Sequence, residues 1–404
     1  MTSGLKRFGF EIIFTFATLF FIDSAASQNI VVLFTDRRFT ANPVRLTDTD
    51  VSELFFRTPD FPKRATSPEG RRVAAKLEAH VIAFLDGAPW MPFQQTLGIS
   101  GYEISFAHPD EMFLALAQSL PGLSEAAAER VKNFLQAELS KTPPSAEPGF
   151  DYRSGRPRES YEVPATLRVP GRGKANSTLG VYAFWACCHH AGKPPAAADW
   201  DAIKTRVKLL LDAGYKFDPQ TNGPGKGEAQ TLNGDLAGLI GLARLGRMQG
   251  DAAIEQHALR RGRELLELRV NLERTNPFIL ENSDAATRKL HNARLSRYCG
   301  LVPEVGEAMA RFGADCGARQ LKLFREERNG WFLAHGDRFI GGENYTSPIH
   351  FPRSLFAGAA LIEQLPAQQL LDFIDVPWCK GDFYFIERCT LALWADAGRP
   401  WKKL

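Results

Sequence analysis

Motifs of several common enzyme classes are missing from this chain. It contains no GxSxG nucleophile elbow, no HExxH zinc motif, no dinucleotide-binding fingerprint and no Walker motif. The stretch GPGKGEAQT at 223–231 is not a phosphate loop, because the GxxxxGK[ST] spacing is absent. The sequence therefore gives little support to serine-hydrolase, zinc-peptidase or nucleotide-dependent chemistry.

A strong charge of either sign is also lacking. The 404 residues carry a formal net charge of only +3, without the clustered basic face that is typical of nucleic-acid binding. A nucleic-acid partner is therefore not expected, whereas an anionic substrate is compatible with the small basic excess. The hydrophobic content of 44% is enough for one large core or two medium ones.

Long apolar runs are confined to the N-terminus. Lys6 and Arg7 precede the stretch FGFEIIFTFATLFFI, and Ala25 and Ser27 then provide small residues at the spacing of a signal-peptidase site. This pattern predicts a signal peptide over 1–27, cleaved near Gln28, and an exported protein, periplasmic or extracellular. An uncleaved membrane anchor is the alternative. No stable membrane association is expected after cleavage.

Six cysteines follow this segment, and export would permit disulfides among them. Cys187 and Cys188 are adjacent in an apolar run, which favours buried thiols over a bridge. The sequence CCHH at 187–190 raises the possibility of a metal site. Neighbours on a helix point about 100° apart, so at most two of the four could share an ion. No metal and no cofactor are therefore expected.

From residue 69 onward two kinds of helix alternate. Amphipathic helices, with one apolar face, are expected at 69–86, 123–140, 199–214, 251–270, 315–326 and 367–374. Helices that are apolar nearly all round are expected at 108–119, 176–191, 232–249, 293–312, 348–365 and 381–397. The second kind must be wrapped by protein, so Trp185, Leu239, Leu242 and Phe356 are expected to be buried.

This alternation predicts an all-α fold: an (α/α)6 barrel or toroid with an inner and an outer ring of helices and short β-hairpins in the loops. An open helical solenoid is the alternative. The expected organisation is a signal peptide (1–27), an N-terminal extended segment (28–68) and a toroid catalytic domain (69–404).

Polar residues cluster where the inner helices are expected to begin. In such a barrel these starts converge on one rim, where helix N-termini favour an anionic ligand. N-capping alone would explain single residues such as Asn233, but not the whole set. Candidate catalytic residues are Asp235, Glu343, Asn344, Tyr345 and His350; candidate substrate-binding residues are Lys174, Asn176, Lys226, Arg353, Asp382 and Tyr384.

The exported helical chain, with Gly-, Asn- and Asp-led inner helices, resembles the α/α-toroid (six-hairpin) carbohydrate-active enzymes, which include polysaccharide lyases and glycoside hydrolases. The segment ENYTSPIHFPR at 343–353 contains the residue types that such lyases use. The resemblance implies a tyrosine or histidine that removes the proton beside a uronate, and an asparagine, histidine or arginine that neutralises its carboxylate.

Three functions stay open at this point. In a lyase that cleaves a uronate-containing glycan by β-elimination, Tyr345 would be base and acid, and His350 and Asn344 would polarise the carboxylate. Arg353, Lys174 and Lys226 would attract this anionic polysaccharide or oligosaccharide. In a glycoside hydrolase, Asp235 would be the general acid and Glu343 or Asp382 the second carboxylate. The third possibility is a non-catalytic glycan-binding protein.

Overall fold

Ten α-helices make up most of the part of the chain that the structure, a computed structural model, describes. The described residues are 43–60, 65, 67–86, 109–141, 143–145, 178–212, 228–275, 302–313 and 383–404. Among them 79% are helical, which confirms the all-α class. No helix in these ranges is both long and apolar enough to cross a membrane.

The elements follow one another in a simple order. They are α1 (Asp48–Phe55), β1 (Arg57–Pro59), α2 (Pro68–Leu85), α3 (Pro109–Ser119), α4 (Glu125–Lys141), α5 (Leu179–Ala191), α6 (Ala197–Leu211), α7 (Glu228–Gln249), α8 (Ala252–Thr275), α9 (Pro303–Phe312), α10 (Phe383–Asp396) and β2 (Trp401–Lys403), with a 3-10 turn at Leu120–Gly122. Helices α2, α3 and α4 lie within one or two residues of their predicted bounds. The predicted helices at 315–326, 348–365 and 367–374 lie outside the described residues.

Local sequence explains where several helices begin and end. Thr47 and Asp50 form a capping box at the start of α1, and Ser67 caps α2, whose first residue is Pro68. Helix α7 is followed by Gly250, whose φ of 71° reverses the chain, and Asp251 then caps α8 through the Ile254 N–H at 3.1 Å. These signals make α7 and α8 an antiparallel helix pair.

The apolar helices form a continuous inner layer. Helix α10 contacts α3, α3 contacts α5, α5 contacts α7, and α7 contacts α9. Every residue from Leu179 to Cys188 in α5 is buried, as its apolar sequence predicts. Trp185, Leu239 and Leu242 are also buried, which confirms three of the four burial predictions, while Phe356 lies outside the described residues.

Segments from both ends of the described chain meet. Helix α10 packs along α2, and β1 pairs antiparallel with β2 in the register Arg57↔Lys403, Thr58↔Lys402 and Pro59↔Trp401. These two strands, the only ones that the described residues form, are joined by tertiary pairing rather than by a hairpin turn, so the expected β-hairpins in loops are not found there.

Part of the segment 28–68 differs from the extended conformation that its sequence suggested. Residues Asp48–Phe55 form α1, which lies against α8 and α9. Side chains of α8 hold this segment: Glu267 accepts the Leu46 N–H at 2.9 Å, and Asn271 accepts the Val44 N–H at 2.9 Å. Phe55 is completely buried and lies beside Gly262 of α8. Tertiary contacts with α8 and α9 thus stabilise a helix too short to be stable alone.

Candidate functional site

Helices α5 and α7 lie side by side and run in the same direction. Gly238 faces Thr178, and about one turn further along both helices Gly241 faces Tyr182. A β-carbon at Gly241 would lie 2.6 Å from the Tyr182 α-carbon, so the two backbones approach closely because both α7 positions are glycine. The parallel direction brings the start of α5 and the first turns of α7 to the same end of the inner layer, as expected for a rim.

Asp235 and Thr178 join these two helices at that end. The Thr178 hydroxyl donates to Asp235 Oδ1 at 2.9 Å. Thr178 occupies the N-cap position of α5 but makes no side-chain capping bond. Asp235 is only 8% exposed, so its carboxylate is largely removed from water and is held by a hydroxyl donor. Asp235 is the one predicted catalytic residue whose surroundings the structure describes.

The expected start of α7 was wrong. The sequence predicts Asn233 as a capping residue, yet the helix begins at Glu228 and places Asn233 and Asp235 one to two turns inside it. Glu228, Ala229 and Gln230 are good helix formers and extend α7 beyond the polar pair. Both residues face protein: Asn233 is fully buried, and its side-chain carbonyl accepts the Arg269 Nε–H of α8 at 2.7 Å.

The other predicted site residues lie outside the described residues. This applies to catalytic Glu343, Asn344, Tyr345 and His350 and to substrate-binding Lys174, Asn176, Lys226, Arg353 and Asp382. Tyr384 falls in the first turn of α10, and only its helical backbone is described. Asn176 and Lys226 each precede, by two residues in the sequence, the point where the described chain enters α5 or α7.

A buried polar network that the sequence analysis did not identify lies deeper between the inner helices. Arg244 of α7 meets Glu304 of α9 at 2.7 Å, and the Tyr182 hydroxyl of α5 donates to Glu304 Oε2 at 2.9 Å. Arg244 also donates to the backbone carbonyls of Phe55 at 2.6 Å and Arg57 at 2.7 Å. Its guanidinium carbon lies 4.1 Å from the Trp185 ring centroid, at cation–π distance.

This network is suited to structure rather than to proton transfer. Burial and the Glu304 carboxylate raise the pKa of Tyr182 well above its ordinary value, so the phenol stays protonated at neutral pH. Arg244 and Glu304 have side chains that are 1% and 0% exposed, so a substrate has no access to them. The signal in the sequence was a single arginine within LAGLIGLARLG, because a charge in an otherwise apolar helix requires a partner.

The sequence CCHH at the end of α5 contains buried thiols, as predicted. Cys187 and Cys188 are free and buried, and burial raises the pKa of Cys188 to about 12. His189 stacks on Trp185 with ring centroids 5.3 Å apart. Within the described ranges no group of three or more His, Cys, Asp or Glu side chains is arranged to hold a metal ion.

The C-terminal part of α7 lies against the junction of α1 and β1. The Arg247 guanidinium of α7 lies over the Phe56 ring at 3.2 Å, while the Arg244 bonds to Phe55 and Arg57 fix the chain between α1 and β1. Thr178 lies at the start of α5 and Asp235 about two turns inside α7, on the N-terminal side of these contacts. Comparison of the chain with protein-family models, with curated proteins and with solved structures finds no match.

Proposed function

We propose that this chain is an exported carbohydrate-active enzyme on an (α/α)6 toroid, and that it cleaves a uronate-containing glycan by β-elimination. The observation that carries the proposal is the shared rim. Thr178, the N-cap residue of α5, bonds to Asp235 about two turns inside the parallel helix α7, so both helices begin toward the same end, whereas the junction of α1 and β1 bonds to Arg244 toward the C-terminal end of α7. Free N–H groups at helix N-termini attract an anion such as a uronate carboxylate.

Ring closure is supported by the contacts between the two ends of the chain. Inner helix α7 pairs with outer helix α8, which follows it in sequence, and inner helix α10 pairs in a similar way with outer helix α2, which lies near the N-terminus. The Ser67 hydroxyl, at the start of α2, donates to the Asp396 carboxylate at the end of α10. A last inner helix that packs on the first outer helix is what a closed ring requires and an open solenoid does not.

In the proposed reaction, Tyr345 removes the proton at C5 of the uronate. The electron pair forms the C4–C5 double bond, and the bond from C4 to the glycosidic oxygen breaks. The leaving oxygen takes a proton from Tyr345. Asn344 and His350 neutralise the carboxylate as charge develops, while Lys174, Lys226 and Arg353 attract the anionic chain. Each preorganised donor to the developing anion contributes about 3 kcal/mol of transition-state stabilisation.

A glycoside hydrolase is the second candidate, because a carboxylate is the group at the rim that the structure describes. Asp235 has a hydroxyl donor and is almost buried, two features that fix a carboxylate in one orientation. Glu343 or Asp382 would be its partner. The distance between the two carboxyl groups would then decide between inversion and retention at the anomeric carbon.

The products distinguish these candidates and the non-catalytic glycan-binding alternative. Mature protein is incubated with a panel of uronate-containing and neutral glycans. A lyase releases sugar ends with a conjugated double bond that absorbs ultraviolet light, a hydrolase releases reducing ends without that absorbance, and a binding protein releases neither. Elimination on at least one uronate-containing glycan is expected, and release of reducing ends alone would exclude the lyase.

Two substitutions assign the roles. Tyr345→Phe should abolish elimination, since it removes the hydroxyl that moves the proton, and Asp235→Asn should abolish a hydrolase reaction. Asp201→Asn is the matched control, because Asp201 is an exposed aspartate of α6 paired with Lys204. Full activity in both Tyr345→Phe and Asp235→Asn on every glycan that the wild type degrades would remove the rim from the mechanism.

A further inference from the structure

A buried arginine of helix α8 forms a hydrogen bond with helix α7. Arg269 of α8 is 1% exposed, and its Nε–H donates to the side-chain oxygen of Asn233 in α7 at 2.7 Å. Asn233 is itself fully buried. A charged donor fixes which side of the amide faces α8, because only the oxygen of Asn233 can accept this bond.

Asn233 and Asp235 hold the same turn of α7 from opposite sides. Two residues along an α-helix correspond to a rotation of about 200°, so their side chains leave the helix in nearly opposite directions. Asn233 reaches Arg269 on the outer helix, whereas Asp235 reaches Thr178 on the neighbouring inner helix at 2.9 Å. Gly238 lies against Thr178 one turn later and keeps α5 and α7 in contact there.

We propose that Arg269 is a positioning residue: through Asn233 it fixes the rotation of α7 and so aligns the Asp235 carboxylate with the Thr178 hydroxyl at the rim. Its catalytic consequence rests on the second candidate function, the glycoside hydrolase, in which Asp235 is the general acid. A backbone turn clamped on both sides cannot rotate by the few degrees that would lengthen the Thr178–Asp235 bond.

Two variants distinguish a role of Arg269 in positioning α7 from an effect of its positive charge alone. Arg269→Lys keeps the positive charge but loses the Nε–H donor, and Asn233→Ala keeps Arg269 but removes the oxygen that accepts its Nε–H. If Arg269 acts by positioning, each variant should raise the apparent pKa of Asp235, because a misaligned hydroxyl stabilises the carboxylate less. If Arg269 acts by charge alone, only Arg269→Gln should raise it.

The titration is followed by carboxyl carbon NMR of mature protein with carbon-13-labelled aspartate, and Asp235→Asn assigns the signal. The decisive comparison combines Asn233→Ala with Thr178→Val, because Thr178→Val removes the hydroxyl through which Asn233 is proposed to act on Asp235. Asn233→Ala should have no further effect on the Asp235 titration in Thr178→Val protein. If the two substitutions change the apparent pKa of Asp235 additively, the proposal is wrong.

The matched control is Arg261→Lys. Arg261 is a buried arginine of the same helix, but its Nε–H donates to the Leu210 carbonyl of α6 at 3.2 Å rather than to α7. This variant should lower stability without changing the Asp235 titration. Should the Arg269 variants fail to fold, Asn233→Ser, which is smaller and still polar, tests the same relay.

Turnover is measured in parallel on a glycan that the wild type degrades. If the wild type is a hydrolase with Asp235 as general acid, Arg269→Lys and Asn233→Ala should lower kcat about tenfold with little change in KM, because a misplaced reacting group affects the transition state more than binding. An unchanged Asp235 titration in both variants would exclude positioning even if turnover fell. A shifted titration without turnover by the wild type on any glycan would support the relay and reject the proposed function.

Discussion

Arg244 and Glu304 meet at 2.7 Å with both side chains almost completely buried. Glu304 also accepts the Tyr182 hydroxyl, and Arg244 also donates to the backbone carbonyls of Phe55 and Arg57, so the pair links three helices with the segment between α1 and β1. Desolvation offsets much of the attraction in such a pair, but removal of one partner leaves an uncompensated buried charge.

Glu304→Ala should therefore lower the free energy of unfolding by about 3–5 kcal/mol, as measured by urea denaturation. The control is Glu255→Ala, which breaks the more exposed ion pair between Arg247 and Glu255, with an expected loss of less than about 1 kcal/mol. Equal losses in the two variants would contradict the central role of the Arg244–Glu304 pair.

Gly241→Ala tests the close approach of α5 and α7. Glycine to alanine stabilises an isolated helix by about 1 kcal/mol, but a β-carbon here would lie 2.6 Å from the Tyr182 α-carbon. We expect the steric cost of the added β-carbon to exceed the gain in helix propensity, so that the free energy of unfolding falls by about 1–3 kcal/mol in urea denaturation. Gly246→Ala is the control, since its β-carbon would approach no atom more closely than 3.2 Å and its cost should be smaller. A stabilised Gly241→Ala would mean that the helices are further apart.

Asp396→Ala tests the contact between the last helix and the first outer helix. The Asp396 carboxylate accepts the Ser67 hydroxyl at the start of α2, where a helix N-terminus favours negative charge. Its loss should cost about 1–2 kcal/mol and should raise amide hydrogen exchange in α2 and α10 before other helices. Lys402→Ala, which breaks the exposed pair with Asp60, should leave that exchange unchanged. Uniform acceleration in all helices would argue against a separate closing contact.

His190 makes stability sensitive to acid. Burial, with smaller effects of His189, Lys402 and Lys132, lowers the pKa of His190 from 6.5 to about 3. The unfolded chain binds this proton near pH 6.5 and the folded chain does not, so stability falls as the pH drops below about 6.5. The loss continues until the pH approaches the folded value near 3.

Because His190 as a residue is half-buried rather than fully buried, we expect it to contribute a loss of about 1 kcal/mol between pH 7.5 and pH 5.5. His190→Asn cannot take up the proton and should lose correspondingly less stability over this interval. Urea denaturation at both pH values gives the comparison, and each protein at pH 7.5 is its own reference. Identical pH dependence in the two proteins would contradict the lowered pKa.

The helical alternation was readable from the sequence because hydrophobic periodicity is local. The all-round apolar stretch LGVYAFWACC predicted a buried helix, and α5 is one. Asp235 was selected because a carboxylate stands beside an expected helix start, and it lies at the end where α5 begins. The rim residues between 341 and 353 stay predictions, since they lie outside the described residues.

The start of α7 shows where local signals compete. Asn233 and Asp235 are residue types that cap helices, but the helix-forming residues that precede them are also helical, so α7 begins at Glu228. A polar residue inside a helix is acceptable only if tertiary partners satisfy it. Asn233 has Arg269 and Asp235 has Thr178, and neither partner is near it in the sequence.

The sequence by itself determined the all-α class and the division into amphipathic and all-round apolar helices, because both follow from the side chains within a few turns. Only the tertiary structure decided that Arg244 pairs with Glu304, that α10 packs against α2, and that the turn of α7 at Asp235 contacts both Arg269 and Thr178. The physical reason is that a buried charge or amide needs a partner, and its partner can come from any segment that folding brings within hydrogen-bonding distance.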